Sequence, residues 1–413
     1  MATTPPRKSS RARPPRRPLP PTLSSARTAS VRAPDFPTAL RPRLHIPYIG
    51  LAVFALLVPQ RSVFALLNID GTRNQIYVFG NASYAYDSNI FAQNGGEGDS
   101  ILGASLGVEL KRRAGIISVN GRALFEYLRF SRLSQQNALN PTFYLEFNKT
   151  TGRTTGALTI NAYRTSRADS AVNIRTQSWN FPLGLSIKYP VNDKLYVTSQ
   201  TGYLRRTFSN SSGLLTYVDY SQAIDLFYVF TSKLDLVGGY RLRVGKTDLG
   251  TTTDHGFSFG ATNGLLPKVN GTVRIGYQIR DIGATDETYS QFTTSASVTW
   301  NATRKLNMTG AVARDFTTTA VGGSVDTFSA VARGTYIFTR RYSVDAGIGY
   351  GRNKFVSGPP RQDDFFTWDV GGTIRWNEHF QVTGSYTYLL NWSTYALSDF
   401  ERSGYSLNVS SRF

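Results

Sequence analysis

A chain of 413 residues without cysteine excludes a disulfide framework, a thiolate metal site and a cysteine nucleophile. Aromatics make up 13% of it, with 23 Tyr and 25 Phe against two Met, a balance that suits strands better than helices. The formal charge of +19 does not mark a nucleic-acid binder: the first 65 residues hold 11 of the 46 Lys and Arg and one acid, Asp35, which leaves about +9 on the rest, without a basic face in a nucleic-acid fold.

Residues 1–43 form a basic tract rich in Pro, Arg and Ser, with no hydrophobic period and too little apolar surface to build a core. Arg41 and Arg43 then precede an apolar run from Ile46 to Val58, too short to span a bilayer comfortably. Residues 44–65 therefore read as a signal peptide cut after Ala65, where Val63 and Ala65 supply the small or β-branched residues such a site needs. An uncleaved short anchor is the alternative, and the long basic extension raises the question of a start codon further downstream. No later stretch reaches eighteen consecutive apolar residues, so no transmembrane helix is expected.

From residue 66 onward the period is two. Leu102, Ala104, Leu106, Val108 and Leu110 alternate with Gly103, Ser105, Gly107, Glu109 and Lys111. Val273, Ile275, Tyr277 and Ile279 alternate with Arg274, Gly276, Gln278 and Arg280. Residues 342–351 and 366–376 repeat the pattern. A barrel in lipid reads this way, apolar outward and polar or small inward. A soluble sandwich alternates too, but Trp179, Tyr189, Trp300, Tyr336, Phe338, Trp368 and Trp376 are placed near the ends of the apolar faces, as interfacial girdles require.

Eighteen strands are predicted, at 74–86, 99–111, 115–130, 140–149, 153–164, 177–189, 194–208, 215–229, 232–246, 253–263, 267–281, 287–301, 303–316, 325–338, 340–352, 364–377, 379–391 and 401–413. Length alone would suggest two or three domains, but closing one wall uses all of these strands in a single unit. Short connections alternate with longer ones, and an even count places both termini at the short-turn, periplasmic end. Sixteen strands would require two runs to merge. The expectation is an all-β, antiparallel, up-and-down transmembrane barrel over 66–413. The longer third connection, 165–176, is modest for a constricting loop, which favours a monomer over a trimer.

The last strand places Tyr405, Leu407, Val409, Ser411 and Phe413 on one face. This resembles the C-terminal signal read by the outer-membrane barrel-assembly machinery, with Ser411 departing from the usual apolar residue. The segment Ser83-Tyr-Ala-Tyr-Asp-Ser-Asn-Ile-Phe91, followed by a Gly-rich acidic loop and Asp99-Ser-Ile-Leu-Gly-Ala-Ser-Leu-Gly-Val108, resembles the β-barrel porin type 2 family of Gram-negative bacteria. The resemblance implies an outer-membrane barrel, in contact with lipid and lipopolysaccharide and often linked to surface-polysaccharide export.

Inward-facing charges are the candidate functional residues: Glu109, Arg122, Glu126, Arg241, Arg243, Arg274, Arg280, Arg333, Asp345, Asp369 and Arg375. On the lipid face each would cost roughly 2–4 kcal/mol at mid-bilayer, which assigns them to a lumen. They would either line an aqueous pore, with arginines in excess and hence a weak anion preference, or brace the wall, as Arg122 and Glu126 could on one strand. Catalysis is not expected. His379 falls in a turn, and His255 near Asp254 and Ser258 lacks triad geometry, because strand neighbours point to opposite faces. No cofactor is expected, and Asp363 with Asp364 reads as a solvated loop rather than a Ca²⁺ site. The function expected is a passive porin-like channel, with a non-channel partner of a polysaccharide-export system as the alternative.

Overall fold

The computed structural model describes residues 67–69, 74–209 and 213–413; the basic extension and signal peptide lie outside the described residues. Nineteen strands form one antiparallel sheet. A short β1 (Leu67–Ile69) precedes eighteen wall strands. These are β2 (Asn74–Asp87), β3 (Asp99–Ala114), β4 (Ile117–Phe130), β5 (Ala138–Lys149), β6 (Thr155–Asp169) and β7 (Ile174–Pro190), then β8 (Leu195–Phe208), β9 (Tyr217–Val229), β10 (Leu234–Thr247), β11 (Gly250–Leu266), β12 (Val269–Ile282) and β13 (Glu287–Trp300). The circuit ends with β14 (Leu306–Thr318), β15 (Ser324–Ile337), β16 (Tyr342–Phe355), β17 (Gln362–Arg375), β18 (Phe380–Ser393) and β19 (Phe400–Arg412).

Each strand pairs with its sequence neighbours, and β19 pairs with β2 from Gly404–Asp87 to Arg412–Phe79, which closes the wall. The closure continues through Phe413, whose N–H donates to Val78 O at 2.8 Å and whose carbonyl accepts from Val78 N at 2.9 Å. β1 pairs with Asn74–Ile76, the part of β2 that β19 leaves uncovered. Closure gives each of the eighteen described wall strands a partner on both sides, which is how backbone polar groups are satisfied in lipid. The eighteen predicted strands thus appear at their predicted places, and sixteen is ruled out.

The molecule is inside-out relative to a soluble domain. Phe292 is 74% exposed and Leu106 and Ile275 are each 63% exposed, whereas the largest fully buried side chain is Arg280. β3 shows the sorting residue by residue: Leu102, Ala104, Leu106, Val108 and Leu110 are exposed while Gly103, Ser105, Gly107 and Glu109 are not. A tilted strand of fourteen residues rises roughly 35 Å along the barrel axis, enough for a hydrocarbon band and its two interfaces. Tyr189, Trp300, Tyr336, Phe338 and Trp376 ring one end on the outside. Trp368 departs from that expectation: it sits midway along β17, against Tyr386 at 5.1 Å. An arginine in place of Ile275 should cost about 2–4 kcal/mol of folding free energy into vesicles, while the inward Thr373→Arg should stay within about 0.5 kcal/mol, both read from urea titrations.

The two ends differ. One end carries short turns such as 115–116, 191–194 and 267–268 together with the C-terminus; the other carries 88–98, 131–137, 319–323, 356–361 and 394–399. The predicted strict alternation of lengths does not hold, because several strands run on: β10 and β11 are joined by residues 248–249 alone, and the stretch 165–176 expected as a loop is mostly strand, β6 continuing to Asp169 and β7 starting at Ile174.

Candidate functional site

At the loop end two parts of the wall leave its surface and turn into the lumen. The first is the tip of the β6–β7 hairpin. β5–β6 pairing stops at Thr142–Tyr163 and β7–β8 pairing starts only at Ser178–Phe208, so beyond them β6 and β7 pair as a hairpin of their own, residues 167–176 with each other alone. Prolines mark the departure: Pro141 precedes the last β5–β6 pair, and Pro182 falls where the β6–β7 register skips. Proline cannot donate to a ladder and is confined to such unpaired places. The carbonyl of Leu139, freed on β5, accepts instead from Arg164 Nη1 at 3.4 Å. The Arg175 guanidinium packs over the inward-facing Phe130 ring at 4.8 Å.

This hairpin crosses the mouth. Arg361, in the β16–β17 connection, donates to the carbonyls of Ser170 (2.7 Å) and Ala171 (2.8 Å) at its tip. Six wall strands separate these elements one way round and eight the other, so the contact spans the opening. Asp363 holds the same guanidinium at 2.6 Å and is itself buried. Asn173 donates to Ala92 O at 2.8 Å and accepts from Ser398 Oγ at 2.6 Å, tying the tip to the β2–β3 and β18–β19 connections. Since the third connection folds inward, its length no longer argues for a monomer.

The Tyr86-to-Phe91 element builds the other side of this contact. Asp87 receives Arg402 of β19 at 2.9 and 2.5 Å, and Asn89 donates to Gln93 O (2.7 Å) and Glu401 O (3.3 Å). Ile90 is wholly buried beneath them. The element therefore staples the first wall strand to the last at the loop end.

The second inward turn is the tip of β14. Its pairing with β13 ends at Thr294–Arg314, although β12–β13 pairing continues to Ile282–Glu287. Beyond Arg314, β14 follows β15 over the inner faces of β10–β12. Asp315 accepts from Arg241 Nη2 at 2.9 Å, four strands along the wall. Phe316 is 2% exposed, its ring under the Arg280 guanidinium at 5.0 Å and its carbonyl bonded to Arg243 Nη2 at 2.6 Å. Beneath it Asp254 takes Arg280 through Nε and Nη2 (2.6 and 2.7 Å) and Arg243 through Nε (2.6 Å). Such desolvated pairs hold only because each charge has its partner.

All eleven sequence-predicted charges lie on inward-facing positions of the register. Ten of them are held in specific contacts rather than projecting freely. Arg274 on β12 reaches Asp225 on β9 at 2.8 Å. Arg333 holds Asp345 at 2.6 Å and Asp369 at 2.7 Å, crossing β16 where residue 347 is glycine; a Cβ there would lie 2.7 Å from Asp369 Oδ1. Glu109 pairs with Lys111 (3.2 Å) and Arg412 (2.8 Å). Arg122 and Glu126 do not meet, contrary to the bracing expected on one strand: Arg122 stacks on Phe79 at 4.4 Å, and Glu126 accepts from Asn140 at 3.2 Å. Arg375 lies exposed at the turn end, in register with Gln381. The sequence reading passed over Asp225, Asp254 and Asp315, the carboxylates that neutralise four of its arginines.

Histidine chemistry is not assembled. His255 faces outward with its Nδ1 on Tyr240 OH at 2.8 Å, while Asp254 faces inward and is committed to arginines. His379 Nδ1 contacts Arg412 O at 3.0 Å and its ring stacks on Phe413. Asp363 and Asp364 are a strand pair on opposite faces and not a solvated loop; Asp364 takes Arg352 at 2.6 Å. Among the described residues no three His, Cys, Asp or Glu are grouped to hold a metal.

Solved structures share this architecture at low identity. OpdK of Pseudomonas aeruginosa, crystallised with vanillate, aligns with a TM-score of 0.50 at 10% identity, covering 82% of this chain and 99% of that one. OccAB4 of Acinetobacter baumannii (0.49, 12%, 83% and 99%) and OpdQ of P. aeruginosa (0.48, 11%, 82% and 98%) are similar. No curated protein sequence matches the chain. Residues 249–413, from β11 to the C-terminus, match the family described as "Putative beta-barrel porin 2", the same family that the Tyr86-to-Phe91 element resembles at the other end of the barrel.

Proposed function

We propose that the protein is an outer-membrane channel through which small polar or charged solutes diffuse passively. The observation that carries this is the inverted sorting around a closed wall: an apolar exterior, a charge-bearing interior, and a loop end narrowed but contacted mainly by polar groups. An eighteen-strand wall is wide enough for water unless its lumen is filled. The start of β2 and the C-terminal Phe413 lie at the turn end, which we take as periplasmic, and the outward Tyr405, Leu407, Val409 and Phe413 are the surface offered to the assembly machinery and then to lipid. The lumen acts on solutes by size and hydrogen bonding more than by net charge, because five of its seven predicted arginines are paired with carboxylates.

Planar-bilayer recording of refolded protein tests this. Stable ohmic steps are expected, with weak selectivity. Arg333→Ala should shift the reversal potential toward cation preference, since Asp345 and Asp369 are then left unneutralised. Silence in the bilayer with tight glycan binding would replace the channel with the polysaccharide-export reading.

A further inference from the structure

The inward lean of β14 encloses a cavity of about 440 Å³ against the inner faces of β8–β13. This is within the size range of small-molecule sites, roughly 300–1,000 Å³. Its wall contains Arg241, Arg274, Asp225, Asp315, Gln278 and Thr293. Gln278 is fully buried, and its Nε2 has no hydrogen-bond partner although its Oε1 accepts from Arg241 at 3.5 Å. A buried donor left unmatched costs about 1–3 kcal/mol, so one just behind the cavity wall favours an acceptor that a small side-chain shift lets it meet.

The charges around it decide which acceptor. Arg274 is held by Asp225 through both terminal nitrogens, and Arg241 is held by Asp315 through Nη2. Arg314, the third guanidinium in the wall, is held by Asp326 at 2.8 Å, so each arginine here already has its carboxylate. An anion entering here would have to displace a carboxylate already seated on its guanidinium. A neutral solute breaks nothing. It can accept from the Arg241 nitrogens outside the ion pair and, once the buried Gln278 amide swings toward the cavity, from its Nε2–H, and donate to lone pairs that the carboxylates retain. Donors and acceptors alternate within this small space, which favours a group that does both at one atom, the hydroxyl.

We infer that this cavity is a binding station for a neutral polyhydroxylated solute of about monosaccharide size. The inference rests on the channel reading, since the solute must reach the lumen. Titration calorimetry of the refolded full-length barrel in detergent tests it independently of conduction, with glucose and glucuronate as probes. Saturable glucose binding in the millimolar range is expected, glucuronate binding no tighter, and Gln278→Leu weakening glucose at least tenfold while the barrel still migrates as folded. Should that variant not fold, Arg241→Lys keeps the pair with Asp315 but loses the additional N–H groups, and should weaken glucose similarly. Glucuronate binding tenfold tighter than glucose would overturn the proposal in favour of an anion site. So would glucose binding that is absent, or unchanged in both variants. Glucose binding without ohmic steps would sink the channel reading and leave the station standing.

Discussion

Arg280→Met should destabilise the barrel by about 2–3 kcal/mol: Asp254 keeps Arg243, but its Oδ1 loses its donor inside a buried cluster. Arg280 is 1% exposed and supplies two of the bonds that hold Asp254. Its removal also uncovers Phe316 and frees Thr317 O, which accepts from Arg280 Nη1 at 3.0 Å. The loss should therefore appear twice: as a lower urea midpoint for folding into vesicles, and as noisier, larger conductance once the β14 tip is released. Replacing Asp254 by leucine in the same chain should restore much of the stability, because apolar substitution of both partners removes the carboxylate left short of a donor. Arg243 retains Asp315 at 3.5 Å and Phe316 O as partners in that double variant. A midpoint unchanged in Arg280→Met would mean that the cluster is hydrated and contributes little to holding the tip.

Excising residues 165–176 and closing the hairpin with a short turn should at least roughly double single-channel conductance while leaving the wall folded. Residues 167–176 pair only with each other, and Thr165 and Ser166 pair with Ser178 and Gln177 of the same hairpin, so no ladder to β5 or β8 depends on them. Arg361→Ala is the milder form: it removes the two bonds to Ser170 and Ala171 and strands the buried Asp363. It should give flickering between two conductance levels where the excision gives one large level. Equal conductance in the wild type and the excised variant would place the constriction elsewhere.

The wall was legible in the sequence because lipid enforces it one residue at a time. Val273, Ile275 and Tyr277 could not exchange faces with Arg274, Gly276 and Gln278 without placing a charge in hydrocarbon, so period two carried both the strands and their facing. Strand ends were less legible: β6, β7, β10 and β11 run further than their polar composition suggests, because above the hydrocarbon the outer face needs no apolar residue. The inward turns were not legible from periodicity at all. Residues 165–176 are mostly Thr, Ser, Arg, Asp and Asn, with Ala168, Ala171, Val172 and Ile174 among them, a composition that suits an outside loop equally well, and what pulls them in are partners such as Ala92, Arg361 and Ser398 far away in sequence. Pro141 and Pro182 were the available signal, since a proline inside a predicted strand marks an interrupted ladder. The same distance explains the missed carboxylates. Asp225 and Asp315 became partners of Arg274 and Arg241 only through the curvature of the wall and the lean of β14, which no local spacing records. Glycine at 347 is the local trace of such a contact, a bare position that lets Arg333 reach across a strand.

The chain contains no cysteine, so single cysteines can be read against a silent background. Labelling with a membrane-impermeant maleimide along β16 in reconstituted vesicles is the most direct measurement. Cysteines at the inward Ser343 and Asp345 should react, and those at Val344, Ala346 and Ile348 should not. Uniform reactivity along the strand, or reactivity confined to the apolar set, would contradict a lipid-facing exterior wrapped around a hydrated lumen.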